Sequence, residues 1–191
     1  MTHPSLSSNM PRSRRQSLRL ASGLALVFAL VLGLVPSAPA AAAGAETSSL
    51  FTSLVKPGAK PVASKRSVNL GVKFATERDG QIVALRFYRS SKQKKAYVGS
   101  LWNSKGKRLA KVTFAKSSRI GWQTAKLAKP VSVRAGLTYT ASYLATDGRY
   151  VRTASVFSKA YTTAEGLTVP RNGGVRKYGK KSSLPKSKRA T

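Results

Sequence analysis

Lysine and arginine side chains give this 191-residue chain its clearest capacity for chemistry, because they occur in clusters that contain no acidic residue. The clustered residues are Lys92, Lys94 and Lys95; Lys105, Lys107 and Arg108; and Arg176, Lys177, Lys180 and Lys181. Ammonium and guanidinium groups bind phosphate and carboxylate oxygens, so the clusters predict contact with a polyanion. The chain has 35 basic and 5 acidic residues, and the alternative is that this imbalance only keeps the protein soluble.

Three tyrosines flank predicted loops, where an exposed ring could stack on a sugar or a base: Tyr97, Tyr150 and Tyr161. They form a candidate ligand platform. Four other aromatic residues lie within alternating segments and are predicted to belong to the core: Trp102, Trp122, Tyr139 and Tyr143.

The chain has few of the side chains that usually act as catalytic nucleophiles, acids or bases. The chain has no cysteine, and its one histidine is His3, close to the N-terminus. A histidine-based triad or a thiolate nucleophile is therefore excluded from the rest of the chain. Asp79 and Asp147 each precede a glycine, as turn residues do. The sequence predicts a protein that is not an enzyme and holds no metal or cofactor.

Residues 1–45 have the organisation of a signal peptide followed by a small-residue cleavage region. An arginine-containing start without acids precedes the apolar run LALVFALVLGLV at 24–35, and alanine-rich A-x-A patterns follow. The run is shorter than the roughly 20 residues that span a bilayer, so no stable membrane span is expected. The segment predicts secretion, by the general route or, given Arg14 and Arg15, by twin-arginine export.

From residue 48 onward the sequence alternates with period two, as half-buried strands do. Val68, Leu70, Val72 and Phe74 share one face of such a strand. About eight or nine strands separated by turns predict an all-β fold, an antiparallel β-sandwich of jelly-roll or immunoglobulin-like type. We assign residues 46–170 to the sandwich and residues 171–191 to a basic C-terminal tail.

Six short segments, in this order, resemble successive parts of one protein family: NLGVKF at 69–74, LRFY at 85–88, GSLWN at 99–103, GWQ at 121–123, AGLTY at 135–139 and GVRKYG at 174–179. The family is the secreted bacterial domain of unknown function numbered 4082. The resemblance implies a β-sandwich module of extracellular multidomain proteins and carries no established activity. Typical members are near neutral or acidic, which makes the basic excess unusual within the family.

Together these patterns predict a secreted, monomeric, non-catalytic module that binds extracellular or cell-envelope polymers, most plainly an acidic envelope polymer or glycan. Two alternatives stay open. One is nonspecific binding of nucleic acid or other polyanions. The other is a family relic without a ligand.

Overall fold

The computed structural model describes residues 47–51, 61–89, 96–153 and 155–188 of the chain. The predicted signal peptide lies outside the described residues, and so does the first lysine cluster, Lys92, Lys94 and Lys95. The described part is built from strands and contains no helix.

The strands have the following bounds: β1 Pro61–Ala63, β2 Val68–Thr76, β3 Gly80–Arg89, β4 Val98–Asn103, β5 Arg108–Thr113, β6 Gly121–Val133, β7 Tyr139–Ala145, β8 Arg149–Val151, β9 Tyr161–Thr162, β10 Leu167–Val169, β11 Gly174–Tyr178 and β12 Ser187–Lys188. Turn residues separate many of them. Gly106, Gly136 and Gly148, for example, have the positive φ that turns between strands demand.

One large sheet has the strand order β12-β11-β2-β7-β4-β5, and all its pairs are antiparallel. β10 also pairs with β2, and β9 pairs with β10. β2 and β7 lie at the centre, with Leu70 opposite Tyr143 and Asn69 opposite Leu144. The sheet has an inner face, which carries Leu70 and Tyr143, and an outer face, which carries Asn69 and Leu144.

Two two-stranded sheets, the long β3–β6 and the short β1–β8, form the second layer over the inner face of the large sheet. Leu85 and Phe87 of β3 share one core cluster with Val68 of β2 and Ala145 of β7, and all four side chains are buried. Burying aromatic and aliphatic surface between two sheets is the main favourable contribution to such a fold. The predicted all-β antiparallel sandwich is confirmed.

The separate basic tail predicted for residues 171–191 is wrong. All five residues of β11 pair with β2, from Gly174 opposite Val72 to Tyr178 opposite Val68. Residues 45–191 form one compact unit, so the sandwich does not end at residue 170. The prediction failed because β10, β11 and β12 are too short for alternation to be visible in the sequence.

Gly148 shows how closely the chain packs around one turn. Its φ is +69°, and a β-carbon there would collide with the carbonyl oxygens of Ser64 and Arg66. We expect Gly148→Ala to lower the free energy of unfolding by about 3 kcal/mol or more, measured by urea denaturation. The matched control is Gly136→Ala, at φ +72° with open space around it, which should cost only about 1 kcal/mol. Equal losses would show that backbone strain alone, without the collision, sets the effect.

Candidate polyanion-binding face

Residues 179–186, here called the strap, leave β11 and cross the outer face of the large sheet before β12 begins. The side chain of Asn69, 1% exposed, holds the strap at two points. Its Nδ2 donates to the carbonyl oxygen of Lys181 at 3.1 Å, and its Oδ1 accepts from the backbone N–H of Ser183 at 3.1 Å. A buried amide with both ends bonded in this way fixes the path of the strap across β2.

Gly71 gives the strap room to lie close to the sheet. A β-carbon at Gly71 would lie 3.2 Å from Cγ of Pro185 and 2.7 Å from the carbonyl oxygen of Ala141. Pro185 is fully buried against this position. The strap therefore packs on the sheet through an apolar contact as well as through hydrogen bonds.

The strap also reaches β4 and β5. The hydroxyl oxygens of Ser100 and Ser182 lie 3.0 Å apart, and Nη2 of Arg108 donates to the carbonyl oxygen of Ser182 at 2.5 Å. The guanidinium of Arg108 lies 4.5 Å from the centre of the Trp102 ring, as in a cation–π contact. The strap thus covers polar residues on the outer face of these strands and bonds to them.

Further along, Leu184 lies beside the turn between β4 and β5. A β-carbon built on Gly106 in that turn would come within 3.4 Å of Leu184 Cδ2. Lys105 and Lys107, on either side of Gly106, are exposed, and so are Lys180 and Lys181 on the strap. The strap therefore brings two clusters that are about 70 residues apart in sequence to one side of one sheet.

Six of the predicted contact residues share this side, which we call the basic face: Lys105, Lys107, Arg108, Lys177, Lys180 and Lys181. Lys177 belongs to it because it pairs with Asn69, whose side chain lies on the outer face. Lys111 of β5 belongs to it as well, since it pairs with Ser100. The sequence prediction missed Lys111 because it stands alone among apolar residues; its register opposite Ser100 is the signal that identifies it.

Acidic residues are placed elsewhere among the residues that the structure describes. Glu77 and Asp79 lie between β2 and β3, Asp147 lies between β7 and β8, and Glu165 lies between β9 and β10. Asp79 accepts from the backbone N–H of Ala135, between β6 and β7, at 2.8 Å. The basic face is therefore a surface of one sign, which concentrates counter-ions next to it.

Arg176, the remaining cation of the predicted set, does not belong to the basic face. It pairs with Leu70, so its side chain lies on the inner side of the sheet, half-buried and 5.6 Å from the Tyr178 ring. Its place in the predicted polyanion contacts is corrected, because neighbouring residues on a strand point to opposite faces.

Two of the three predicted platform tyrosines are buried. Tyr97 is 2% exposed and Tyr150 is 7% exposed, so neither offers a ring face to a sugar or a base. Both lie next to turns in the sequence, but both belong to the core cluster that also contains Phe87. Tyr161 of β9 is 43% exposed and is the platform residue that keeps an accessible ring.

The Tyr97 hydroxyl donates to Asp147 Oδ1 at 2.6 Å, and that carboxylate also accepts from the backbone N–H of Arg149 at 3.1 Å. Burial raises the pKa of Tyr97 above 10, and the hydrogen bond and negative charge of Asp147 raise it further. Burial also raises the pKa of Tyr143, whose ring stacks on Tyr97 at 6.0 Å. Both hydroxyl groups therefore resist deprotonation in the folded protein.

These raised pKa values predict alkaline instability. The unfolded chain releases both tyrosine protons near pH 10, whereas the folded chain retains them. The free energy of unfolding is therefore unaffected by these tyrosines below about pH 10 and falls above it. The expected slope is at most about 1.4 kcal/mol per pH unit for each tyrosine, measured by urea denaturation. Tyr143→Phe should remove about half of the slope, whereas Tyr161→Phe, at an exposed position, should leave it unchanged. An unchanged slope in Tyr143→Phe would contradict this account.

A cleft of about 1470 Å³ opens between β3 and the inner side of β2 and β11. Leu70, Val72 and Phe157 line it, together with Arg86 and Arg176. Arg86 lies 4.4 Å from the Trp122 ring centre and donates to the carbonyl oxygen of Phe51 at 3.3 Å. Asp79 and Glu165 line the same cleft, so it is less uniformly positive than the basic face.

The family model that the chain matches is described as Domain of unknown function (DUF4082), and the match covers residues 54–191. The chain belongs to this family. The matched region of this DUF4082 chain contains every strand from β1 to β12, and so the strap and the basic face. No curated protein is significantly similar to the chain.

The family description assigns no activity, so functional conclusions depend on the surfaces just described. Within the described ranges, no three acidic, histidine or cysteine side chains come together as metal ligands would. A helix long and apolar enough to cross a membrane is likewise not found in that part of the chain. The chemistry that the basic face offers is ionic contact with several negative charges at once.

Proposed function

We propose that this DUF4082 chain is a secreted, non-catalytic, monomeric module whose basic face binds an anionic polymer of the cell envelope. One observation carries the proposal: the strap joins the β4–β5 turn and the C-terminal lysines into a single surface without acidic residues. The predicted signal peptide supports placing that surface outside the cell.

The number of cations supports a useful affinity. A lysine or arginine close to a strongly anionic surface contributes about 1 kcal/mol. The six lysines of the basic face give about 6 kcal/mol, which corresponds to a dissociation constant on the order of 10⁻⁵ M. That range suits a module that adheres to a polymer with many repeated charges, where several weak contacts act together.

An envelope polymer fits the basic face better than nucleic acid does. Surfaces for single-stranded nucleic acid usually expose aromatic rings for base stacking, but Trp102 is only 6% exposed and Arg108 lies over its ring. The strap lies flat on the outer face, and the described residues offer no helix that could enter a major groove. A phosphodiester polymer without bases has no bases to stack and no groove to be entered, so it needs neither feature.

A binding series in salt tests the proposal. The purified protein is titrated with teichoic acid, a neutral glucan and duplex DNA, from about 0.05 to about 1 M NaCl. We expect teichoic acid to bind most tightly, with the logarithm of the affinity falling linearly with the logarithm of salt concentration. Glucan binding that persists near 1 M salt would replace the proposal with a neutral glycan site. Tighter binding of DNA would favour the nucleic-acid alternative, and no binding of any polymer at low salt would favour a relic.

A further inference from the structure

The strap has an unfavourable charge balance when it is docked. It carries Lys180, Lys181 and Lys186, and docking places Leu184 beside the β4–β5 turn that carries Lys105 and Lys107. Like charges brought together at a surface repel each other, and the repulsion is strongest at low salt. The hydrogen bonds of Asn69, Ser100 and Arg108 and the burial of Pro185 must offset this repulsion.

A bound anionic polymer would offset the repulsion that opposes docking of the strap. If the polymer contacts the strap and the β4–β5 turn together, it neutralises the charges that repel one another. A ligand that binds only the docked arrangement stabilises that arrangement by mass action. The coupling is reciprocal, so whatever strengthens docking also strengthens binding.

We infer that strap docking and polymer binding are one coupled equilibrium, and that Asn69 is the residue that positions the strap for binding. The inference rests on the proposed function. Asn69 is a positioning residue and does not touch the polymer, because its side chain is buried beneath the strap. Its role is to align the lysines of the strap with those of the turn.

Coupling predicts opposite effects of salt on the free and bound protein. In the free protein, salt screens the repulsion between strap and turn, so docking strengthens as salt rises. In the complex, salt weakens the polymer contacts that hold the strap, so docking weakens as salt rises. A strap held only by hydrogen bonds and packing would respond little to salt in either state.

Hydrogen exchange of the Ser183 amide reports docking, because this N–H donates to Asn69 Oδ1. Teichoic acid at about 100 times its dissociation constant should slow this exchange by up to about 100-fold at low salt. The reference is the Phe114 amide, which donates to the Tyr97 carbonyl oxygen within the core and should not respond. Equal slowing of both amides, or none at Ser183 under saturating polymer, would overturn the inference.

Variants of the full chain test the role of Asn69. Asn69→Ala removes both strap hydrogen bonds without changing the charge, and we expect about a tenfold loss of affinity for teichoic acid. A disulfide from Ser100→Cys with Ser182→Cys should restore most of this loss in the Asn69→Ala background. The two hydroxyl oxygens are 3.0 Å apart, and the natural chain has no other cysteine to interfere. Reduction of the disulfide should abolish the rescue.

The outcomes separate the inference from the proposed function. Unchanged affinity of Asn69→Ala, whether or not Ser183 exchange accelerates, would refute the positioning role. Failure of the oxidised disulfide to restore binding would refute it too. The proposed function fails on a different result, namely that the unaltered protein shows no salt-dependent binding of teichoic acid. If Asn69→Ala does not fold, the exchange experiment on the unaltered protein decides the coupling by itself.

Discussion

Replacing Lys105, Lys107, Lys180 and Lys181 with glutamine is expected to lower the affinity for teichoic acid by roughly 100-fold at low salt. All four side chains are exposed, so the substitutions remove charge without opening the core. A full 1 kcal/mol from each would give about 1,000-fold, but flexible exposed lysines lose entropy when they are held in place, which reduces the effect.

The salt dependence should change together with the affinity. Each contact that is lost removes roughly one released counter-ion, so the plot of log affinity against log salt should become shallower by about three to four units for duplex DNA. The same direction is expected for teichoic acid. Isothermal titration or fluorescence anisotropy across the salt series measures both quantities.

The matched control changes four lysines that lie away from the basic face: Lys116, Lys126, Lys129 and Lys159, all exposed. Lys126 and Lys129 belong to β6 in the second layer, and the net charge changes by the same amount as in the test variant. We expect less than about a fivefold loss, from the weaker long-range field. Similar losses in both variants would mean that total charge, and not the basic face, determines binding.

The sequence could predict the lysine clusters but not their convergence. The alternation of Val68, Leu70, Val72 and Phe74 identifies the inner face of β2 correctly, because a long strand repeats its pattern several times. The strap shows no regular alternation of apolar and polar residues that could reveal its position. Its path depends on hydrogen bonds to residues about 110 positions earlier in the chain, such as those of Asn69.

Some signals for the strap were nonetheless present. Asn69 and Gly71 alternate with the apolar residues of β2 and so share its other face, and a polar or small residue in a central strand usually has a partner or a close neighbour. For two tyrosines the sequence signal pointed to exposure, but the side chains are buried. Tyr97 and Tyr150 lie next to turns in the sequence, yet turns at the end of a sandwich can fold residues back into the core. Proximity to a loop therefore predicts exposure poorly for a large aromatic residue.

The largest effect on stability is expected from Phe87→Ala. Phe87 of β3 is 3% exposed, and its ring centre lies 4.7 Å from Phe114, 4.8 Å from Tyr143 and 5.1 Å from Tyr97. Truncation would leave a cavity at the point where the second layer meets the large sheet. The expected loss in the free energy of unfolding is about 3–5 kcal/mol, with a melting temperature roughly 10–15 °C lower.

Val83→Ala, on the same strand but 45% exposed, is the control and should cost less than about 1 kcal/mol. Similar melting temperatures for the two variants would contradict the central role of the Phe87 cluster.

The affinity of Phe87→Ala for teichoic acid gives a second, independent expectation. Phe87 packs against the inner face of the large sheet, whereas the basic face lies on the outer side of the same sheet. Well below its melting temperature, Phe87→Ala should therefore bind teichoic acid as tightly as the unaltered protein, because the strap, Asn69 and the lysines of the basic face keep their places.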